Sequence, residues 1–342
     1  MKRKLLIFMS LTFAVVMLAF TQQSKATQPA AYTEGLALLE QKDYANAIAK
    51  LTLAIAEQEN FADAYYQRAV ANEKSGNSSD ALDDYTRAIE LQPTATFYFS
   101  RGRFYQELGS FTEAEADYTE ASMLNPDMSE AHYYRGAINF LSESYHAAIE
   151  EYTHCIAIDS LHAYAYNDRG SANRQLDRYK EALSDYTAAI KIDSTLDFLF
   201  SNRGTTYRLM EKYDEAINDY NEAIKLSPRS AMLYNNRGLA KLGKEDYEGA
   251  SADFFAAKRY NPNYFRAFNN MGNVYYRQKK YAEALVEYDK ALKINDKFGQ
   301  AFLNRGIVKE MQRNDEGACA DWQKAAELGV STAKNYVSAQ CK

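Results

Sequence analysis

The sequence predicts an all-α solenoid made by repeating one helix pair. A small residue recurs at Gly35, Ala69, Gly102, Gly136, Gly170, Gly204, Gly238, Gly272 and Gly306, at steps of 34 residues apart from one step of 33 between Ala69 and Gly102. An alanine stands twelve residues after every one of these markers, from Ala47 and Ala81 to Ala284 and Ala318. Pro93, Pro126, Pro228 and Pro262 fall where the second helix of a unit must stop, since proline cannot continue it. Self-similarity at such a period denotes an array in which each unit buries its apolar face only against its neighbours.

The columns within the period predict the elements in turn. A second small column holds Ala54, Ala88, Ala121, Cys155, Ala189, Ala223, Ala257, Ala291 and Ala325. Between the two alanine columns runs a large one: Leu51, then Tyr85, Tyr118, Tyr152, Tyr186, Tyr220, Phe254, Tyr288 and Trp322. Small side chains let helix axes approach closely, and rings beside them interlock. Most of the 28 tyrosines fall in recurring inter-helix columns, such as Tyr65, Tyr98, Tyr166 and Tyr234, or Tyr44, Tyr179, Tyr213 and Tyr281, and are packing residues. In these columns the chain resembles the tetratricopeptide repeat (TPR) family over residues 28–330. The units run 28–61, 62–94, 95–128, 129–162, 163–196, 197–230, 231–264, 265–298 and 299–330. The resemblance implies antiparallel helix pairs stacked into a superhelix, with a concave groove lined by the first helix of each pair.

A charge pattern adds to the family signature. Arg68, Arg101, Arg135, Arg169, Arg203, Arg237 and Arg305 precede their markers. Sixteen residues later stand Asp84, Asp117, Glu151, Asp185, Asp219, Asp253 and Asp321. In the first unit both signs invert, to Glu34 and Lys50, and only the eighth breaks the rule, with Met271 opposite Glu287. A joint inversion indicates columns in contact, so the expectation is an ion pair between the two helices of each unit rather than a basic ligand stripe.

The chain ends differ from the array. Lys2, Arg3 and Lys4 precede an apolar run from Leu5 to Phe20 and a small-residue site at Ser24-Lys25-Ala26, the pattern of a secretory signal peptide over residues 1–26. The apolar run is short for a spanning helix of about 20 residues. Export to the periplasm or cell envelope of a Gram-negative-type bacterium is the expectation, with an uncleaved membrane anchor as the alternative. Loss of residues 1–26 would change the net charge from −6 to about −10, leaving 36 Lys and Arg against 46 Asp and Glu. An acidic solenoid does not suit nucleic acid, which needs clustered cations. At the other end, residues 331–342 read as an amphipathic helix capping the last repeat. Cys319 and Cys341 would lie level if the chain folds back at Gly329, a candidate disulfide in an oxidising compartment. Cys155 occupies an alanine column and reads as a small buried filler.

Catalytic signatures are missing from the sequence, and the expectation is a non-enzyme without cofactor. Gly238 to Lys244 imitates a phosphate-binding loop, but Glu245 stands where a magnesium-binding Ser or Thr is required, inside a predicted helix and its turn. His132, His146, His154 and His162 cluster in and just after the fourth unit, yet no pair has the i, i+4 spacing of helical zinc ligands, and no bound metal is expected.

The resemblance implies that groove residues lie two, three and six places before each marker. Three places before stand Tyr32, Tyr66, Phe99 and Tyr133; two places before stand Asn202, Asn236, Asn270 and Asn304, with Asp168 ahead of them; six places before, Tyr164 and Phe198 add rings. Aromatics are enriched at interaction hot spots, and a row of carboxamides can pair with an extended backbone. The row resembles the asparagine ladder of O-linked N-acetylglucosamine transferase, whereas the carboxylate clamp of chaperone-binding members is not matched. The expected function is an envelope scaffold holding a protein or extended peptide in its groove. A structural subunit bound through the convex face or the array ends is the alternative.

Overall fold

The computed structural model describes residues 28–341; the expected leader, residues 1–26, lies outside the described residues. Nineteen α-helices and no strand occur among them. They fall into two compact units, one ending at Ala131 and one starting at His132. The first holds α1 (Ala30–Glu40), α2 (Tyr44–Glu57), α3 (Ala62–Ser75), α4 (Ser78–Leu91), α5 (Ala95–Glu107) and α6 (Phe111–Leu124). Next comes α7 (Ser129–Leu141), which starts just before the division, followed by α8 (Tyr145–Ile158), α9 (Ala163–Gln175), α10 (Tyr179–Ile192), α11 (Asp197–Leu209) and α12 (Tyr213–Leu226). The second unit continues with α13 (Ala231–Gly243), α14 (Tyr247–Tyr260), α15 (Phe265–Arg277), α16 (Tyr281–Ile294), α17 (Gly299–Met311), α18 (Asp315–Glu327) and α19 (Ser331–Gln340). The 33-residue step is a shortened loop: three residues join α4 to α5, where four join α2 to α3.

Each pair closes through a tight turn whose residue seven places after the marker has left-handed backbone. Gly76 and Gly109 adopt it at φ 80°, while Lys42, Glu143, Asp177, Glu211, Glu245, Lys279 and Arg313 do so at φ between 56° and 63°. The residue after it donates its N–H to a carbonyl at the end of the first helix, as Lys212 does to Tyr207, satisfying a group the helix leaves open. The two helices then meet at the marker. A Cβ on Gly204 would stand 3.2 Å from the Ala216 carbonyl oxygen and from Tyr220, and one on Gly306 would stand 2.5 Å from Trp322. Both alanine columns are fully buried, and Tyr85, Tyr118, Tyr152, Tyr186, Tyr220, Phe254, Tyr288 and Trp322 are at most 1% exposed.

Arginine fixes this arrangement. Arg203 donates from Nε and Nη2 to the two carboxylate oxygens of Asp219, at 2.8 and 2.7 Å, and from Nη1 to Thr187 of the preceding second helix, at 3.1 Å. Its guanidinium also lies 6.0 Å over Phe200. The same double grip joins Arg68 to Asp84 and Thr52, Arg101 to Asp117 and Thr86, Arg169 to Asp185 and Thr153, Arg237 to Asp253 and Asn221, and Arg305 to Asp321 and Asp289. The inverted pair of the first unit meets at 2.5 Å between Lys50 and Glu34. In the eighth unit Met271 is buried, and Glu287 takes its cation from elsewhere: Lys258 on the preceding second helix at 2.9 Å, with Lys290 at 2.8 Å. Lys258 lies 5.0 Å over Phe268, the ring over which an arginine would otherwise sit.

The last repeat is closed by α19. Tyr336 lies 4.8 Å from Trp322, and Cys341 is joined to Cys319 by a disulfide across 22 residues of sequence. Such a link adds a few kcal/mol by restricting the unfolded chain. Cys155 is buried in its alanine column. The arginine–acid pair that staples a repeat is testable in isolation. Arg203→Ala strands the Asp219 carboxylate, which is 5% exposed, so the unfolding free energy in urea should fall by about 3 kcal/mol; a loss below about 0.5 kcal/mol, the range of an ordinary surface substitution, would show the pair to be inconsequential.

Candidate functional site

In the second unit consecutive first helices touch one another (α9 and α11, α11 and α13, α13 and α15, α15 and α17), and no two second helices approach as closely. The first-helix side is therefore the inner side of that unit. Groove residues expected from the sequence divide between this surface and the packing.

In the first unit most of the aromatic row is packing. Tyr32 is 6% exposed and lies 4.7 Å from Phe61. Tyr66 stacks on Phe97 at 4.7 Å and meets the Ser100 hydroxyl at 3.0 Å, while Phe99 lies 5.7 Å from Tyr118. In the second unit Tyr133 packs 4.7 Å from His162 and donates its hydroxyl to Asp168 at 2.9 Å. Tyr164 is different. It is 48% exposed, with Phe198 at 5.7 Å, so these two rings form an accessible apolar step on α9 and α11.

The asparagines turn out to bond mainly to one another. Asn304 donates to Asn269, Asn269 to Asn270, Asn270 to Asn235 and Asn235 to Asn236, at 3.0, 3.2, 2.8 and 3.4 Å. A second chain runs from Asn202 to Asn167 at 2.9 Å and from Asn167 to Asp168 at 2.8 Å, where Tyr133 also ends. Ser201 stands between the two chains, in the column that holds Asn167, Asn235 and Asn269. Asn270 is 8% exposed. These amides link neighbouring first helices, and a backbone laid along them would find most of their groups engaged. The exception is Asn236, whose Nδ2 meets no acceptor among the described residues.

What the inner side does offer lies one turn further along each first helix, at positions the sequence reading passed over. Arg174 and Arg208 each stand four places after a marker, on α9 and α11. Arg174 lies 6.0 Å over Tyr186 and reaches the Asn202 carbonyl at 3.5 Å; Arg208 lies beside Tyr220, with its Nε buried and unpaired. Neither guanidinium meets a carboxylate among the described residues. Further on, Leu242, Asn273, Tyr276, Arg277, Asn304 and Ile307 line a recess of about 230 Å³. Asn273 Oδ1 there accepts from the Tyr288 hydroxyl at 2.8 Å and from Asn304 Nδ2 at 3.0 Å, leaving its own Nδ2 hydrogens to the recess.

Burial governs the titration of this side. It raises the Tyr133 hydroxyl, with Asp168 adding to the shift, and raises Tyr186 and Tyr220 against the lowering effects of Arg174 and Arg208. It also raises the Asp168 carboxyl, opposed by the hydrogen bonds from Tyr133 and Asn167. The phosphate-loop imitation, residues 238–244, lies in α13 and its turn. His162 caps α9 by accepting from Ala165 N at 3.0 Å, and His146 meets Arg178 at 3.1 Å. Among the described residues no helix is long and apolar enough to cross a membrane.

Comparison with known proteins agrees with this architecture. Tetratricopeptide repeat profiles match residues 62–94, 99–154, 163–196 and 265–298, and a TPR repeat profile matches 204–244. The chain belongs to the tetratricopeptide repeat family. A tetratricopeptide repeat protein from Parabacteroides merdae has a similar structure, with TM-score 0.64 and 17% identity over 72% of this chain and 99% of that one. A chain of the APC/C hetero-tetramer Cut9–Hcn1 aligns with TM-score 0.55 and 15% identity, over 84% of this chain and 57% of its own. No curated protein sequence matches. Proteins of this family are in general non-catalytic scaffolds that bind proteins or peptides.

Asp168 supplies the test of the hydrogen-bond chain that ends on it. It occupies the column that Asn202, Asn236, Asn270 and Asn304 continue, and an amide there can accept from Asn167 and donate to the Tyr133 hydroxyl. Because its folded pKa lies above the unfolded value of about 3.9, the folded state holds the proton more tightly and stability falls as pH rises through that window. Asp168→Asn should therefore be more stable than the parent at pH 7 and equal to it at acid pH below the unfolded value, as read from urea midpoints; a less stable variant at pH 7 would contradict the buried-carboxyl account.

Proposed function

We propose that this protein is a non-catalytic scaffold of the bacterial cell envelope that holds an acidic segment of a partner protein on the inner side of its second unit. The observation that carries the reading is the pair Arg174 and Arg208, two half-buried guanidiniums on adjacent first helices without a carboxylate partner, in a chain of net charge −6. Every arginine of the stapling column meets an acid; these two do not. A guanidinium presents donors in a planar fork that suits a carboxylate, and arginines in partly desolvated sites are frequent hot spots. Tyr164 and Phe198 add an apolar step on the same two helices, and the Asn236 and Asn273 amides add donors further along. The leader-like residues 1–26 and the Cys319–Cys341 disulfide support an exported location, since disulfides persist in oxidising compartments.

Crosslinking capture from a native envelope fraction tests the reading. Arg174→Ala combined with Arg208→Ala should reduce recovery of the partner by about tenfold or more, equivalent to about 1.4 kcal/mol per decade, with far-UV circular dichroism unchanged. Undiminished capture by a folded double variant would remove the inner side from the account.

A further inference from the structure

The fourth repeat departs from its neighbours at several places that meet at one point. Where seven of the other repeats carry an aromatic four places before the marker (Tyr65, Tyr98, Tyr166, Phe200, Tyr234, Phe268, Phe302), this one carries His132 on α7. Where most carry aspartate on the second helix, it carries Glu151, whose carboxylate reaches one carbon further. One turn on from Glu151, on the same side of α8, stands His154. The three side chains converge: one ligand atom from each lies within 4.8 Å of the other two. The His132 and His154 rings are 5.3 Å apart, and His132 Nδ1 is 2.9 Å from Glu151 Oε2.

The staple is altered to allow this. In six other repeats the arginine grips its aspartate through both Nε and Nη2. Arg135 reaches Glu151 only through Nη2, at 3.0 Å to Oε1, and its Nε is buried without a hydrogen-bond partner. Glu151 has thus been drawn away from its arginine toward the histidines, and an internal hydrogen bond has been given up to do it. His132 and Glu151 are half-buried and His154 is exposed, so the cluster has an open side toward solvent.

We propose that His132, Glu151 and His154 form a binding site for a divalent transition-metal ion of the zinc type. Two imidazoles and one carboxylate are a donor set that such ions prefer, with a fourth position left to water. The ion would take Glu151 Oε2, replacing the hydrogen bond from His132. Arg135 would stay on Oε1 and fix the carboxylate from behind, as outer-shell partners do at metal sites. The nearby guanidinium also opposes a second cation, so affinity is modest. The i, i+4 spacing rule applied to the sequence misses such a set because its ligands come from two helices.

Titration calorimetry of the untagged chain with zinc chloride, and the visible absorption of bound cobalt, test the site. The parent should bind one ion with a tetrahedral cobalt spectrum. His154→Ala, at an exposed position, should weaken binding about tenfold or more. His132→Tyr, which restores the residue of the column, should do the same while preserving circular dichroism. His146→Ala should bind as the parent does. Absence of zinc binding by the parent, or parental affinity in folded His154→Ala, overturns the proposal.

Discussion

A guanidinium shared among three helices organises this chain. Six stapling arginines (Arg68, Arg101, Arg169, Arg203, Arg237 and Arg305) sit on first helices, grip an acid on the second helix of their own pair, and reach a polar residue on the second helix of the pair before. One side chain thereby fixes both the angle within a repeat and the step to its predecessor. The chemistry suits the role, because a planar fork can satisfy two oxygens in one direction and a third in another while its face lies against a ring. Carboxylates such as Asp185 and Asp219 are 5% exposed and have no second cation beside them, so losing the arginine leaves a buried charge without compensation.

With the stack held from within, the inner side of the second unit becomes available for other work. Tyrosine rings fill the space beside the markers, and their hydroxyls emerge at the first-helix surface, where Ser171, Thr205 and Asn273 meet them. Asparagines two and three places before the markers bond along the row. Arg174 and Arg208 are left over, along with a few amide donors and the Tyr164–Phe198 step. These are the groups whose bonding capacity the fold does not use.

The period, the alanine columns and the ring column could be read directly from the residues because they recur in register, and the helix pairs follow from them. The ion-pair column was readable for a similar reason: its inversion at Glu34 and Lys50 changes both partners together. The asparagine row misled. A side chain that looks exposed by helical position can still be engaged by the next repeat, and the 35-residue spacing of Asn202 from Asn167 carries that information only once the step between helices is known. Arg174 and Arg208 lie one turn beyond the groove positions that the family resemblance implies, so nothing in that pattern points to them. The eighth repeat did leave a signal. Lys258 interrupts a column that is otherwise Ile55, Ile89, Ser122, Ile156, Ile190, Ile224, Leu292 and Ala326, and Phe255 replaces the polar residue that an arginine would have met. Arginine is lost at Met271, lysine is gained at 258, and the polar partner is dropped at 255, all around one buried glutamate.

This compensation permits a direct test of the staple as a transferable unit. Stability in urea would be measured for Lys258→Ile, for Met271→Arg and for the two combined. Lys258→Ile removes the buried cation from Glu287, which is 7% exposed, and should cost about 2–3 kcal/mol. Adding Met271→Arg supplies the cation from the first helix, as in the other repeats, and should recover most of that loss. The account requires a coupling of more than about 1 kcal/mol between the two sites. A double variant no more stable than the sum of its single changes would contradict it.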